Sequence, residues 1–254
     1  MNTASPSIYL TQLPAAKRGW WLGFSLLVLC LQQQAAAQSD DARQRRQMVE
    51  EIASMAEVGG AVRIDSHALA VMNKVPRHEF VPVDQKPHAY ENRPLPIGYG
   101  QTISQPYIVA AMTELLNLKP GHVVLEIGTG SGYQAAVLAE LARAVYTIEI
   151  VAPLAQQATE RLRRLGYANA HSRTGDGYFG WPEAGPFDAI MVTAAASHVP
   201  PPLLRQLKSG GRMVIPIGAP FMIQQLMLVE KDSDGTVKTR QMMAVRFVPL
   251  TGKH

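Results

Sequence analysis

The chain contains 254 residues, of which 47% are hydrophobic and 17% are charged, and its formal net charge at pH 7 is +4. This length and composition allow one sizeable hydrophobic core and are not typical of a disordered or fibrous protein. The charge is modest and the chain has no long run of Lys and Arg, so we expect no nucleic acid partner.

The N-terminal residues have the pattern of a secretory leader. Lys17 and Arg18 precede a short apolar run, and Ala35 and Ala37 then supply a small-residue cleavage site. This order predicts a signal peptide over residues 1–37 and export to the periplasm. Cleavage would remove the one cysteine of the chain and lower the net charge by two. The run is short for a membrane span, so we expect no stable span after cleavage. An uncleaved anchor, a misassigned start codon and a cytoplasmic location are the alternatives.

The remaining residues, 38–254, are predicted to form a single domain whose first part, residues 38–120, is mainly helical. Apolar residues recur at helical spacing from Met48 to Ala56, and a Gly-Gly pair ends that segment. Further helices are predicted over residues 66–74 and 107–118.

The second part, residues 121–254, alternates between buried strands and amphipathic helices. Repeated strand–helix units predict a doubly wound, mostly parallel sheet, and a final hairpin predicts an antiparallel C-terminal end. The fold class is therefore a Rossmann-like α/β sheet with an N-terminal helical segment. The strands are predicted over residues 122–126, 144–149, 168–173, 187–192, 212–217, 225–231 and 239–249.

A glycine-rich loop follows the first of these strands, and acids stand beside three of them. Glycine at such a turn lets the backbone approach a ligand closely. The spacing G-x-G-x-G differs from the G-x-G-x-x-G that faces a pyrophosphate, and S-adenosylmethionine carries cationic groups that acids favour. We therefore predict this cofactor and a class I methyltransferase type of sheet. The predicted cofactor contacts are Glu126, Gly128, Thr129, Gly130, Ser131, Gly132, Glu149, Asp176 and Gly177.

The segment over residues 94–106 is rich in proline, glycine, hydroxyl and amide groups. Its prolines and glycines exclude a regular helix or a central strand. A rigid polar segment just upstream of a cofactor loop is expected to form one side of the active site.

These two motifs together resemble the protein-L-isoaspartate O-methyltransferase family. The resemblance is carried by residues 126–133, 95–106, 75–82 and 244–250, and it covers nearly all of the chain after the leader. Gly-Gln-Thr-Ile-Ser-Gln-Pro, residues 100–106, is its most specific part, whereas many methyltransferases share the glycine loop. Asn92, where an acid is frequent, and the leader depart from the pattern.

The resemblance implies methyl transfer to the free α-carboxylate of L-isoaspartyl residues in damaged proteins or peptides, followed by closure to a succinimide and partial repair. It also implies that Ser104 is an active-site residue. A carboxylate is already ionised at pH 7, so we expect Ser104 and Thr102 to orient it without a general base. Gln101, Arg246 and Val248 are weaker candidates for substrate binding, and Arg246 and Val248 fit an edge strand equally well.

Other functions are less consistent with the residues. A small-molecule methyltransferase, a non-catalytic nucleotide-binding protein and an NAD-dependent dehydrogenase are the alternatives. The histidines lack metal-ligand spacing, so no metal site is predicted. His198 follows the fourth strand and is interpreted as a surface residue near a helix start. We expect the protein to be a monomer.

Overall fold

The computed structural model describes residues 40–253. Gln44–His254 forms one compact unit. The predicted leader, residues 1–37, lies outside the described residues.

The strands are β1 Leu95–Gly98, β2 Gln101–Ile103, β3 Val123–Ile127, β4 Ala144–Glu149, β5 Ala170–Thr174, β6 Phe187–Val192, β7 Leu207–Ile217, β8 Gln224–Lys231 and β9 Val237–Val245. Seven of them form the central sheet of this unit, in the order β5-β4-β3-β6-β7-β8-β9. The neighbours from β5 to β7 pair in parallel, and β8 pairs antiparallel with both β7 and β9. β1 and β2 form a separate hairpin.

Six α-helices accompany the sheet, and within residues 40–253 none is both long and apolar enough to cross a membrane. Short 3₁₀ helices cover Arg77–Phe80, Val83–His88 and Gly177–Phe179. The α-helices are α1 over residues 40–58, α2 Ser66–Lys74, α3 Pro106–Leu115, α4 Tyr133–Ala139, α5 Ala152–Arg164 and α6 Pro201–Gln206.

Burial on both faces explains why the central strands are almost continuously apolar. Every residue of β3 is buried, as expected for a parallel strand covered by helices on both sides. Val124 and Val145 pack in one hydrophobic cluster with α3 and α4, while Leu125 and Ile148 belong to a second cluster. The sheet therefore separates two core layers.

The chain reverses its direction of travel across the sheet after β5. β3, β4 and β5 succeed one another towards one edge, whereas β6 and β7 lie on the other side of β3. This change creates a crevice at the carboxyl ends of β3 and its neighbours, where open α/β sheets bind ligands. The glycine loop leaves the end of β3 and lies at this crevice.

The predicted fold class is confirmed, and two local differences have physical reasons. β7 begins at Leu207, five residues before the predicted start, because Leu207 pairs with Phe187 across a register shift in β6. Helix α6 therefore ends at Gln206. The segment over residues 94–106 forms the β1–β2 hairpin outside the main sheet, which agrees with the exclusion of a central strand.

Candidate active site

Two cavities adjoin one another at the crevice. The first is lined by the glycine loop, the end of β4, the strand β2 with Ser104, and residues 248–251. The second is lined by residues 244–248, Ile108 and Ile223. Residues that line both cavities mark where they meet: Thr102, Ser104, Thr193 and Val248.

The glycine loop needs glycine for both conformation and space. Gly128, Gly130 and Gly132 all have positive φ, at 95°, 52° and 86°, where side chains are disfavoured. A Cβ at Gly128 would also overlap Thr193 Oγ1. The backbone of the loop therefore lies directly against the first cavity, where a bound ligand can contact it closely. Thr129 and Ser131 line the cavity, as predicted.

Glu149 lines the first cavity and also holds its backbone. Its Oε2 accepts a hydrogen bond from the Gly130 N–H at 2.7 Å, and its Oε1 accepts one from the Val151 N–H at 2.9 Å. Among the residues that line the first cavity, Glu149 is the one charged side chain. The cavity thus offers a negative charge and no Lys or Arg, which fits a cationic cofactor and not a pyrophosphate.

Glu126 lies behind the loop and lines neither cavity, and its contact with the cofactor stays a prediction. The side chain is fully buried in β3, and Thr147 Oγ1 donates to its Oε2 at 2.5 Å. The Thr147 and Thr129 hydroxyls are 2.6 Å apart, so a hydrogen-bonded chain connects the acid to the loop. Burial raises the pKa of Glu126 to about 8, which favours the protonated carboxyl at neutral pH.

Asp176 also lies outside the first cavity, although its neighbour Gly177 lines it. Asp176 caps the Gly177–Phe179 helix by accepting from the Tyr178 N–H, and its Oδ2 accepts from the Lys253 N–H at 3.0 Å. The carboxylate is thus engaged by its own helix and by the C-terminal tail, and its contact with the cofactor stays a prediction.

The β1–β2 hairpin and the residue that follows it place three predicted site residues at the cavities. Thr102 and Ser104 line both cavities, and Gln101 lines the first. Within residues 40–253, neither the Thr102 nor the Ser104 hydroxyl has a hydrogen-bond partner in the protein. Both hydroxyls are available to a ligand at the junction between the cavities.

Arg246 is the one charged residue among those lining the second cavity, and Val248 lies at the junction. The Val248 carbonyl accepts from the Ala195 N–H at 2.8 Å, so this segment continues past β9 and packs beside the loop after β6. The predicted substrate residues therefore share a cavity with Ser104. Arg246 is exposed, which leaves its guanidinium accessible.

Thr193 was not predicted as a site residue. Its hydroxyl donates to the carbonyls of Ile127 and Gly128, at 2.9 and 2.7 Å, and it lies at the junction of the cavities. Its position directly after β6 could have indicated a site residue, because the carboxyl ends of neighbouring parallel strands meet at one edge of the sheet.

His198 lines neither cavity. Its Nδ1 is 3.0 Å from Ser197 Oγ, and its Nε2 is 3.3 Å from the Tyr178 hydroxyl. In the part of the chain that the structure describes, no group of three His, Cys, Asp or Glu side chains is arranged to hold a metal ion.

A doubly wound sheet with a glycine loop, a strand-end acid in the adjoining cavity and a second cavity meeting the first defines a class I methyltransferase that uses S-adenosylmethionine. The comparisons with known proteins identify the family. A model described as Protein-L-isoaspartate(D-aspartate) O-methyltransferase (PCMT) matches residues 47–254. The chain belongs to this family.

Individual relatives agree with this assignment. Protein-L-isoaspartate O-methyltransferase 1 of Cupriavidus necator is 67% identical over 222 residues, covering 85% of this chain and 86% of that protein. Protein-L-isoaspartate O-methyltransferase 2 of a Polaromonas species is 67% identical over 210 residues, covering 81% of this chain and 100% of that protein.

Solved structures of related proteins share the fold. A protein-L-isoaspartate O-methyltransferase superposes with a TM-score of 0.72 at 29% identity, over 82% of this chain and 66% of that one. A Plasmodium falciparum protein described as a beta-aspartate methyltransferase (PCMT), solved with S-adenosyl-L-homocysteine, superposes with a TM-score of 0.69 at 26% identity over 82% of this chain and 98% of that one.

Proposed function

We propose that this protein transfers a methyl group from S-adenosylmethionine to the free α-carboxylate of L-isoaspartyl residues in damaged proteins and peptides. The observation that carries the proposal is the pair of joined cavities with opposite charges. Glu149 is the charged side chain of the first cavity, and Arg246 is that of the second. A cationic cofactor and an anionic substrate would therefore be drawn to opposite sides of Ser104.

The residues around the first cavity suit the cofactor. The positive-φ glycines allow close approach of the backbone, and the Glu149 carboxylate favours a cation. When bound, S-adenosylmethionine supplies a methyl group on a sulfonium sulfur, and this sulfur becomes a neutral thioether once the methyl group is transferred. Glu149 would hold the cofactor while its two backbone hydrogen bonds keep the glycine loop in place.

Thr102 and Ser104 would orient the substrate. An α-carboxylate has a pKa of about 3.5 and is ionised at neutral pH, so the reaction requires no base to remove a proton. The reaction requires that one carboxylate oxygen points towards the first cavity. Positioning of this kind lowers the activation free energy by several kcal/mol, of order 7 in favourable cases. Neutral hydroxyls can hold the carboxylate without pairing with its charge as strongly as Lys or Arg would.

Arg246 would assist at longer range. Its side chain is exposed, so solvent screens its charge and a direct ion pair would contribute little. A guanidinium at the rim of the second cavity nevertheless attracts carboxylates and favours their entry. The methyl ester formed at the junction would then leave the protein. The backbone amide nitrogen of the following residue would attack the ester carbonyl and release methanol, and water would open the resulting succinimide partly to normal aspartate.

The proposal is tested by methyl transfer to matched peptides that contain isoaspartate or aspartate at one position. We expect labelled methyl groups to be incorporated into the isoaspartyl peptide and not into its aspartyl twin. A protein with Ser104→Ala serves as control, because loss of label with retained S-adenosylmethionine binding places the label in this site. Equal labelling of the two peptides would contradict the proposal.

We also propose that residues 1–37 are removed during export to the periplasm. The support is the order of Lys17-Arg18, the apolar run and Ala35-x-Ala37 in the sequence. N-terminal sequencing of the protein from fractionated cells provides the test. A periplasmic form that begins at Gln38 is the expected result, and a cytoplasmic form that retains Met1 would refute it.

The monomeric state is likewise a proposal, which sedimentation of the protein at several concentrations would test. A molecular mass that stays near one chain is expected, and a concentration-dependent increase would contradict it.

A further inference from the structure

The turn between β7 and β8 exposes three large apolar side chains in a row. The exposed fractions of Phe221, Met222 and Ile223 are 84%, 63% and 59%. Single exposed apolar residues are ordinary, whereas contiguous ones mark interaction sites. This turn, residues 218–223, is called the apolar loop below.

Buried hydrogen bonds attach the base of the apolar loop to the substrate side of the active site. The Gln224 side chain is 1% exposed. Its Oε1 accepts from the Phe247 N–H at 2.8 Å, and its Nε2 donates to the Ala219 carbonyl at 3.3 Å. At the other side of the turn, the Gly218 N–H donates to the Ala196 carbonyl at 2.9 Å. The loop is thus fixed to the chain that leads into Val248.

The apolar surface is continuous with the second cavity. Ile223 lines that cavity together with Ser104 and Arg246, and the exposed Phe221 and Met222 directly precede Ile223 in the chain. Three residues of loop span at most about 10 Å, which is the length of about three extended residues of a substrate chain. The loop is therefore long enough to contact the neighbours of the modified residue.

We propose that the apolar loop binds apolar side chains adjacent to the isoaspartyl residue, so that isoaspartyl segments with apolar flanking residues are methylated in preference to those with small polar ones. This inference rests on the proposed function and specifies its substrate class. An unfolded segment exposes residues that a folded core would bury, and the loop offers Phe221 and Met222 to cover them. The junction of the two cavities would select the isoaspartyl residue, and the apolar loop would select the residues on either side of it.

A polypeptide is a better occupant than the two other candidates. A membrane-binding surface combines its apolar residues with several Lys and Arg residues. Residues 218–223 contain no Lys or Arg, and Arg246 is the single basic residue that lines the second cavity with Ile223. A second copy of the chain would cover the loop and with it the entrance that Ile223 shares with the substrate cavity. A substrate chain would contact the apolar loop and the second cavity together, whereas a second copy of the chain would block access to that cavity.

The test compares isoaspartyl peptides of equal length and charge, with Leu and Val or with Ala and Ser on either side of the isoaspartyl residue. We expect the wild-type protein to show a KM about tenfold lower for a peptide with apolar flanks, equivalent to about 1.4 kcal/mol. In the double variant Phe221→Ser, Met222→Ser, the ratio of the two KM values should fall towards one. Fluorescence anisotropy of the same peptides, labelled with a dye, should show the same change in Kd.

Val237→Ser provides a matched control. Val237 is an exposed apolar residue at the opposite end of the β8–β9 hairpin, paired with Lys231 rather than near Gln224. This variant should retain the wild-type ratio. Titration with S-adenosylmethionine reports whether each variant is folded, and the wild-type peptide series tests the inference even if the double variant fails to fold.

The outcomes separate the inference from the proposed function. A wild-type protein that methylates both isoaspartyl peptides with equal KM, or a double variant that keeps the tenfold ratio, overturns the inference alone. A protein that methylates neither isoaspartyl peptide overturns the proposed function. If sedimentation shows a wild-type dimer that the double variant dissociates, the loop is an interface between copies and the inference is overturned.

Discussion

Replacement of Glu126 by Gln tests whether a neutral acid supports the glycine loop from behind. Glu126 is fully buried, and desolvation raises the pKa of its carboxyl from 4.5 to about 8. The hydrogen bond from Thr147 opposes this effect, and the nearby charge of Glu149 adds to it. A glutamine amide has nearly the same shape and no charge, so Glu126→Gln should preserve the folded structure at pH 6.

The sign of the pH dependence follows from the proton balance. Between about pH 4.5 and 8 the folded protein keeps a proton on Glu126 that the unfolded chain releases, so the free energy of unfolding decreases as the pH rises. One pKa unit corresponds to about 1.36 kcal/mol. The wild-type protein should therefore lose about 3 kcal/mol more than Glu126→Gln between pH 6 and pH 9.

Urea unfolding followed by circular dichroism measures this difference, with the cofactor absent and at the two pH values. Glu160→Gln is the control, because Glu160 is an exposed acid whose side chain accepts a hydrogen bond from Gln156. It should follow the wild-type curve at both pH values. If wild type and Glu126→Gln lose stability in parallel, Glu126 is ionised in the folded protein and the reasoning is refuted.

Three further substitutions test the site. Ser104→Ala should lower kcat for isoaspartyl peptides by about tenfold to a hundredfold through lost orientation while calorimetry shows unchanged S-adenosylmethionine binding; wild-type kcat would exclude Ser104. Gly128→Ala, which places a methyl group against Thr193 Oγ1 at φ 95°, should cost about 1–3 kcal/mol of stability and weaken cofactor binding. Gly121→Ala, where a Cβ meets nothing within 4 Å, should do neither. Glu149→Gln should raise the Kd for S-adenosylmethionine at least about tenfold, because the charge is lost and the amide presents a second donor to a backbone N–H; an unchanged Kd would refute a role for that charge.

The elements were predictable because their signals are local. β4 and β6 were predicted with the bounds that the structure shows, since each is a short apolar run between turn residues. Helix α2 was also predicted with its observed bounds; Asp65 precedes it and caps it by accepting from the His67 N–H at 2.7 Å. The end of a helix that runs directly into a strand was not predictable, as α6 and β7 show, because the boundary depends on pairing with Phe187.

The placement of the acids depended on tertiary structure. Glu126 and Glu149 both stand at or near a strand end in the sequence, yet only the Glu149 side chain reaches the first cavity. Residues two apart in a strand lie on the same face of the sheet, so Glu126, its register partner Thr147 and Glu149 share one face. Glu126 lies deeper, beside Thr147 and not at the end of β4, and it forms a hydrogen bond with Thr147 there. Asp176 accepts a hydrogen bond from the backbone N–H of Lys253, a residue 77 positions later in the chain, a contact that no local pattern could predict.

The sequence by itself determined the doubly wound sheet, the glycine loop and the segment that contains Thr102 and Ser104, because hydrophobic period and glycine placement act over a few residues. Tertiary structure alone decided that Thr193 meets Gly128, that Glu126 is buried behind the loop with a raised pKa, and that Ile223 of the apolar loop lines the second cavity. Each of these depends on which distant segments pack together, and burial and proximity then set the charge state and the role of a side chain.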